Sequence, residues 1–149
     1  MKSRLAAAVI ATVALLMSSC SVSKSNHLAE AGVETFHQRY SAKDYTAIYK
    51  DAGKEFQQAE TSKDFEELMV ALQDKLGAVE SSSRKAWNTS WNNGISTVRA
   101  EYETKFVRGA AIESFVWRIS GGEAKLLGYH INSRALIINK PSNAPTQAI

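Results

Sequence analysis

The sequence contains one cysteine, two prolines and three histidines among 149 residues, and each scarcity excludes a class of protein. A single thiol cannot form a disulfide within the chain, nor a zinc site built from several cysteines. Two prolines and eight glycines exclude a collagen-like or proline-rich chain. With 44% hydrophobic and 22% charged residues, the composition is typical of one globular domain and not of a disordered protein.

The N-terminus has the layout of a secretory signal peptide. Lys2 and Arg4 supply a short positive region, and an uncharged stretch rich in Ala, Val and Leu follows from Leu5 to Met17. This stretch is shorter than the ~20 apolar residues that a membrane-spanning helix needs. The pattern therefore predicts a cleaved signal peptide over residues 1–19.

The only cysteine stands at the predicted cleavage site. The segment Leu16–Cys20, with the sequence LMSSC, resembles the bacterial lipobox, in which an apolar residue and small residues precede a cysteine. In that family of signals the thiol receives a diacylglyceryl group, the peptidase cuts before the cysteine, and the new amino group is acylated. The resemblance implies lipid attachment at Cys20. The alternative is a general signal peptide cut near Ser19, which would leave Cys20 as an exposed free thiol.

Lipidation at Cys20 changes what the rest of the chain can do. Without Lys2 and Arg4, the mature chain carries 16 basic and 15 acidic side chains, so it has no electrostatic footprint for nucleic acid. A lipidated cysteine also excludes thiol catalysis and a cysteine–zinc site. Several acyl chains, at ~0.8 kcal/mol per buried CH₂, hold such a protein on a membrane.

The resemblance to lipoproteins also implies a location. Ser21 follows the cysteine, and the absence of Asp there resembles lipoproteins that are passed to the outer membrane. We therefore expect a protein of the cell envelope, on the periplasmic face of the outer membrane if the host has two membranes. The polar residues 20–26 predict a flexible tether between the lipid and the folded domain.

Helical periodicity dominates the first half of the mature chain. Ser25 or Asn26 can cap a first helix, whose apolar face repeats every four residues at Leu28, Gly32, Phe36 and Tyr40. Gly32 is unfavourable in a helix, and we expect it to permit close approach of a neighbouring element. A second, shorter helix is predicted over residues 43–51, and Phe56 is predicted to pack in the link after it.

The third predicted helix has the strongest signals. Thr61 or Ser62 caps it, acidic residues fill its first turn, and Gly77 ends it. Its apolar residues follow the spacing of a core-facing stripe: Phe65, Leu68, Met69, Leu72 and Leu76. We expect this helix to lie across the sheet, the only large surface available to that stripe.

After Gly77 the period changes from helical to alternating. Residues 84–91 are predicted as a strand with Trp87, Thr89 and Trp91 on one face, and Asn93-Gly94 is a strong hairpin signal. Further strands are predicted over residues 97–106, 110–120 and 125–133, joined by short turns. Four consecutive strands on short turns predict an antiparallel meander.

Helices followed by antiparallel strands predict an α+β domain with N-terminal helices packed on a four-stranded sheet. The domain is predicted over residues 27–138, followed by a flexible tail over residues 139–149. This order resembles the cystatin-like, or nuclear-transport-factor-two-like, superfamily, whose curved sheet forms a cone. The second half resembles small exported bacterial domains of that superfamily in Tyr102, Phe106, Gly109, Glu113, Phe115 and the segment LGYHI at residues 127–131.

Glu113 is the one candidate for acid–base chemistry. It shares strand parity with Phe115 and Trp117, so its carboxylate would point into an apolar cavity if that face is concave. Tyr102 and Tyr129 are the candidate companions, and Trp117 is a further candidate for the lining of the pocket. The resemblance implies a cavity that enzymes of the superfamily use for acid–base chemistry. We nevertheless expect Glu113 to be a structural carboxylate, bonded to a backbone amide or paired with Arg99, Arg108 or Arg118.

The other chemistry-bearing residues indicate ordinary roles. His27, His37 and His130 lack metal-ligand spacing, and His37 is predicted to face outward because it follows the core residue Phe36. The tryptophans pack on the sheet or form a platform for a partner. No metal or cofactor is predicted. We expect a lipid-anchored, non-enzymatic binding module that meets an envelope protein, the alternative being a small-molecule binder or acid–base enzyme that uses the pocket around Glu113.

Overall fold

The computed structural model describes the backbone of residues 3–137 and the side chains of residues 22–137. The side chains of the predicted signal peptide, the side chain of Cys20 and the predicted tail 139–149 lie outside these described residues. Five helices and four strands follow in chain order within them: α1 (Ser3–Ser41), α2 (Tyr45–Asp51), α3 (Lys54–Ala59), α4 (Ser62–Leu76), β1 (Val79–Asn92), β2 (Ile95–Phe106), β3 (Gly109–Ser120), β4 (Glu123–Asn132) and α5 (Arg134–Ile137).

The sheet confirms the predicted α+β fold. Its strand order is β1-β2-β3-β4, and every neighbouring pair is antiparallel. The Asn93-Gly94 turn joins β1 to β2, with both residues at positive φ as such a tight turn requires. The first strand begins at Val79, five residues before the predicted start. The last strand ends at Asn132, one residue before the predicted end, and the Ser133 hydroxyl donates to the Ala110 carbonyl.

Helix α1 is the element that crosses the sheet. It contacts all four strands, and its buried face contains the predicted Phe36 and Tyr40 together with Ala29 and Val33. Gly32 permits this close approach, because a Cβ at that position would lie 2.9 Å from Cη2 of Trp117. The predicted role of Gly32 is therefore confirmed.

The start of α1 differs from the prediction. The helix begins at Ser3 instead of at a cap formed by Ser25 or Asn26, and it runs through the residues predicted to form a tether. The Ser25 hydroxyl donates to Oγ of Ser96, and Oδ1 of Asn26 accepts a hydrogen bond from the Thr89 hydroxyl. These side chains bond to the sheet instead of to backbone N–H groups of a first helical turn, so they do not act as caps.

Helix α4 has the predicted bounds and cap but not the predicted partner. Oγ1 of Thr61 accepts from the backbone N–H of Asp64, and Leu72 is buried. The expectation that α4 lies across the sheet is wrong: it packs against α1, α2 and α5, with Phe65 against aromatic rings of α2 and α3. Leu68, predicted to face the core, is 40% exposed because these helices cover only part of the stripe.

The two short helices before α4 complete this helical layer. Asp44 caps α2 through a hydrogen bond from the Ala47 backbone N–H, close to the predicted start. Phe56 is buried as predicted, but it lies on a separate helix, α3, instead of in a link. Among the described residues, no helix combines the length and hydropathy needed to cross a membrane.

Candidate functional site

A buried carboxylate joins α1 to the two C-terminal strands. Oε2 of Glu113 lies 2.7 Å from Nε2 of His37, and Oε1 accepts a 2.7 Å hydrogen bond from the hydroxyl of Tyr129. Glu113 is 1% exposed, so both of its oxygens are bound within the protein. We call His37, Glu113 and Tyr129 the carboxylate cluster.

Strand register brings two of these side chains together. Tyr129 pairs directly with Phe115, and Glu113 is two residues from Phe115 on the same face of β3. The two side chains are therefore diagonal neighbours on adjacent strands, a distance that a tyrosine can span. This register explains the predicted proximity of Tyr129 and Glu113. It is also the register that the alternating sequence pattern of β3 and β4 favours.

His37 is the member of the cluster that sequence reasoning misplaced. It was predicted to face outward, but it is 9% exposed and points at the sheet. The signal was its spacing, since position 37 lies four residues after Val33 and three before Tyr40, both on the buried face of α1. Adjacency to Phe36 does not place a residue outward, because a wide buried face includes neighbouring helical positions.

Aromatic rings surround the carboxylate. The Phe36 ring lies 5.2 Å from that of Phe115 and 4.7 Å from that of Tyr129, and the Phe115 ring lies 5.8 Å from the His37 imidazole. In this environment an unpaired carboxylate would be costly. The two hydrogen bonds offset that cost and tie helix to sheet.

The hydroxyl of Tyr129 is held in its protonated form. Burial raises the pKa of Tyr129 well above its usual value, and the negative charge of Glu113 raises this pKa further. A protonated phenol donates its hydrogen to the carboxylate, which matches the 2.7 Å contact. The tyrosine therefore acts as a fixed hydrogen-bond donor throughout the neutral range.

The predicted arginine partners of Glu113 are wrong. The guanidinium of Arg108 donates to backbone carbonyls at the C-terminal end of α4, those of Gln73, Asp74 and Lys75. Arg118 pairs with Glu55, and Arg99 is exposed. The physical reason is that α1, not an arginine-bearing strand, covers this part of the sheet.

The remaining two candidate residues border the same aromatic core without bonding to the carboxylate. Tyr102 pairs with Glu113 in the β2–β3 register, and its ring lies 6.0 Å from that of Phe115. Its buried hydroxyl has no hydrogen-bond partner among the described residues, and burial raises its pKa. Trp117 stacks on Phe115, and its buried Nε1 also lacks a partner there.

An open cleft lies beside the cluster and is separate from it. It has a volume of about 370 Å³ and is formed by α1, α2 and the start of β4. Its lining is largely apolar and includes Leu28, Phe36, Ile48, Trp117 and Leu126. An ion pair of 2.7 Å between Arg39 and Asp51 stands at the cleft, whereas His37 and Glu113 do not line it.

A second groove is lined in part by Tyr129. It has a volume of about 490 Å³ and is lined by residues 56–61, Asp64 and residues 127–129. Its polar residues come from the end of α3 and the start of α4. Neither opening exposes the carboxylate of Glu113, and no group of three metal-ligating side chains occurs among residues 22–137.

Comparisons with known proteins assign no family to this chain. No protein-family model matches the chain, and no curated protein matches it. Among solved structures, the chain is similar to Bd1075 of Bdellovibrio bacteriovorus, with a TM-score of 0.47 and 12% sequence identity. The match covers 70% of this chain and 39% of that chain, so this chain spans well under half the length of that bacterial protein. Identity this low is compatible with many activities, and the similarity says nothing about function.

Proposed function

We propose that this protein is a lipid-anchored component of the bacterial cell envelope, and that its α+β domain, of the cystatin-like kind, is a non-enzymatic binding module. The anchor is supported by the charged start, the short apolar run and the lone cysteine that ends the segment LMSSC. The acyl chains on Cys20 attach the domain to a membrane surface, where it meets an envelope protein or a small ligand.

The burial of Glu113 is the observation that supports binding over catalysis. A general acid or base must come within hydrogen-bond reach of a substrate atom. Both oxygens of Glu113 are already bound, and the side chain is 1% exposed beneath α1. A substrate would have to displace His37 or Tyr129 to reach it.

The cleft between α1, α2 and β4 is the proposed binding site. Its volume of about 370 Å³ lies at the lower end of the range for ligand pockets, and an apolar floor with a few polar groups is the usual composition. The lining is therefore best suited to an apolar group, with the Arg39–Asp51 ion pair as a polar contact at the cleft.

The anchor is tested by the intact mass of the protein in the membrane fraction. The expected chain begins at Cys20 and carries acyl groups, and Cys20→Ala is expected to lack both the lipid and the lipoprotein-type cut. Ser21→Ala is the matched control and is expected to be processed like the wild type. A soluble chain with a free Cys20 thiol would contradict the anchor.

The cleft is tested by a photo-crosslinking amino acid placed at Ala31 of the acylated protein in cells. Ala31 is exposed and lines the cleft, whereas Gln38 is exposed on the same helix but does not line it. We expect one discrete adduct from position 31, identified by its mass as a protein or a small molecule, and none from position 38. Equal adducts from both positions, or none from position 31, would contradict the cleft as binding site.

The carboxylate cluster favours a second candidate, a small-molecule or acid–base enzyme domain. A histidine and a tyrosine that both bond to one carboxylate are groups that many acid–base sites use. This alternative requires a ligand to contact Tyr129, which lines the second groove. Ligand-dependent shifts of the Tyr129 or Tyr102 ring resonances in NMR spectra would favour it over the binding module.

A further inference from the structure

We infer that the tip of the β1–β2 hairpin rests in the surface of the lipid bilayer that holds Cys20, so that the domain has a fixed orientation on the membrane. The hairpin tip is defined here as residues 91–95. The inference rests on the proposed lipid anchor and adds a second, non-covalent contact with the same bilayer. Four observations lead to it.

The hairpin tip lies at the anchored end of the molecule. The hydroxyl of Ser25 donates to Oγ of Ser96, which pairs with Trp91 in the β1–β2 register. The backbone of α1 is helical through Cys20, five residues before Ser25. At 1.5 Å per residue this places the two backbone positions roughly 8 Å apart along the axis. A helix this short cannot hold the hairpin tip far from the lipid.

Three large apolar side chains at this end are exposed, beside exposed polar ones such as Lys24 and Asn93. The side chain of Asn26 bonds to that of Thr89. Val22 lies one helical turn before Asn26, and Trp91 lies two residues after Thr89 on the same face of β1. Val22 and Trp91 therefore lie on the same side of the domain. Val22 is 45% exposed and Trp91 is 67% exposed. Ile95, on the opposite face of the hairpin, is 41% exposed. The tip therefore presents apolar groups on both faces.

The hairpin tip is also free of charge. The sequence contains no charged residue from Ala86 to Val98, although β2 alternates charged residues immediately afterwards, from Arg99 to Lys105. Burying ionised side chains in lipid is costly, so this uncharged segment is the part of the sheet that enters a headgroup layer most easily. Tryptophan is enriched at that depth, because its ring is apolar and its N–H can reach a polar partner.

The opposite end of the sheet does not compete for the bilayer. Val107, 57% exposed, lies in the β2–β3 turn, a full strand length from the hairpin tip. Attachment through Cys20 directs this far end away from the membrane. The acyl chains on Cys20 hold the N-terminus on the membrane but do not by themselves fix the orientation of the domain, which a second contact would do. The hairpin tip provides such a contact for the domain itself and sets which of its faces point outward.

The test uses the acylated full protein in vesicles of phosphatidylethanolamine and phosphatidylglycerol, with and without bromine on the lipid acyl chains. Bromine quenches nearby tryptophan emission. We compare Trp91→Phe with Trp87→Phe, because Trp87 lies four residues further from the hairpin tip on β1, with the Arg84 guanidinium 4.7 Å above its ring. The expected result is quenching of the wild type and of Trp87→Phe, and loss of most of that quenching in Trp91→Phe.

The outcomes separate the inference from the anchor on which it rests. Vesicle-bound, acylated protein whose quenching is absent, or is the same in Trp91→Phe as in Trp87→Phe, overturns the docking of the hairpin tip and leaves the anchor intact. An intact mass without acyl groups overturns the anchor and the docking together. Circular dichroism of each variant verifies that the sheet is retained.

Discussion

Nε2 of His37 and Oε2 of Glu113 lie 2.7 Å apart across 76 residues of sequence, and this contact joins the first helix to the third strand. Both side chains are almost fully covered, at 11% and 1% exposure of the side chain. The contact closes the face on which a substrate would have to approach Glu113. The partner of Glu113 is thus a histidine of α1 and not one of the arginines expected from the sequence.

The first prediction concerns that link. His37→Ala leaves a buried oxygen of Glu113 without its partner, which costs roughly 1–3 kcal/mol in the free energy of unfolding. Urea denaturation measures it, and Gln38→Ala, at an exposed neighbouring position, is expected to change stability by much less. A loss for His37→Ala no larger than that of Gln38→Ala would show that the contact does not stabilise the fold.

A conservative substitution of Glu113, the other residue of this contact, is expected to destabilise the protein less. In Glu113→Gln the amide oxygen can still accept from Tyr129, and the amide N–H can donate to His37 if the imidazole changes tautomer. We therefore expect a smaller loss of stability than for His37→Ala. If the variant retains its fold but loses a chemical activity, the enzyme alternative gains support.

The second prediction concerns alkaline pH. Because burial raises the pKa of Tyr129 in the folded state, the unfolded chain releases this proton near pH ~10 while the folded chain keeps it. Stability is therefore complete below that pH and falls as the pH rises further, by about 1.4 kcal/mol per pH unit for such a tyrosine. Tyr129→Phe is expected to make the decline shallower in urea melts from pH 8 to pH 11. An identical slope in both proteins would contradict the pKa shift.

The third prediction uses the approach of α1 to the sheet. In Gly32→Ala the gain in helix propensity is ~1 kcal/mol, but the new Cβ would lie 2.9 Å from the buried ring of Trp117. We expect the steric effect to dominate, with lower stability and altered tryptophan emission. Gln38→Ala is the control on the exposed side of the same helix. A net stabilisation of Gly32→Ala would mean that the ring moves aside easily.

The fourth prediction compares two leucines of α4. Leu72 is 3% exposed and Leu68 is 40% exposed, so Leu72→Ala is expected to lose ~2–5 kcal/mol and Leu68→Ala much less. Chemical denaturation measures both. A loss below ~1 kcal/mol for Leu72→Ala would contradict its burial against the neighbouring helices.

The elements of this domain are local consequences of the sequence. Thr61 ahead of an acidic turn, Gly77 after the last apolar residue and Asn93-Gly94 between alternating segments place α4 and the β1–β2 turn almost where they are found. These signals depend on residues within one or two turns of each other, so the chain needs no tertiary contacts to express them. The predicted order of helices and antiparallel strands follows from the same local rules.

By itself, therefore, the sequence determined the α+β class, the meander and the close approach at Gly32. Only the tertiary structure decided which helix crosses the sheet and which partner Glu113 takes. Periodicity states that a helix has a buried face but does not say which surface covers it, and α1 and α4 both have such a face. Once α1 occupies the sheet, His37 turns inward to Glu113 and the arginines remain outside. That choice depends on packing between residues far apart in the chain, where local propensity carries no information.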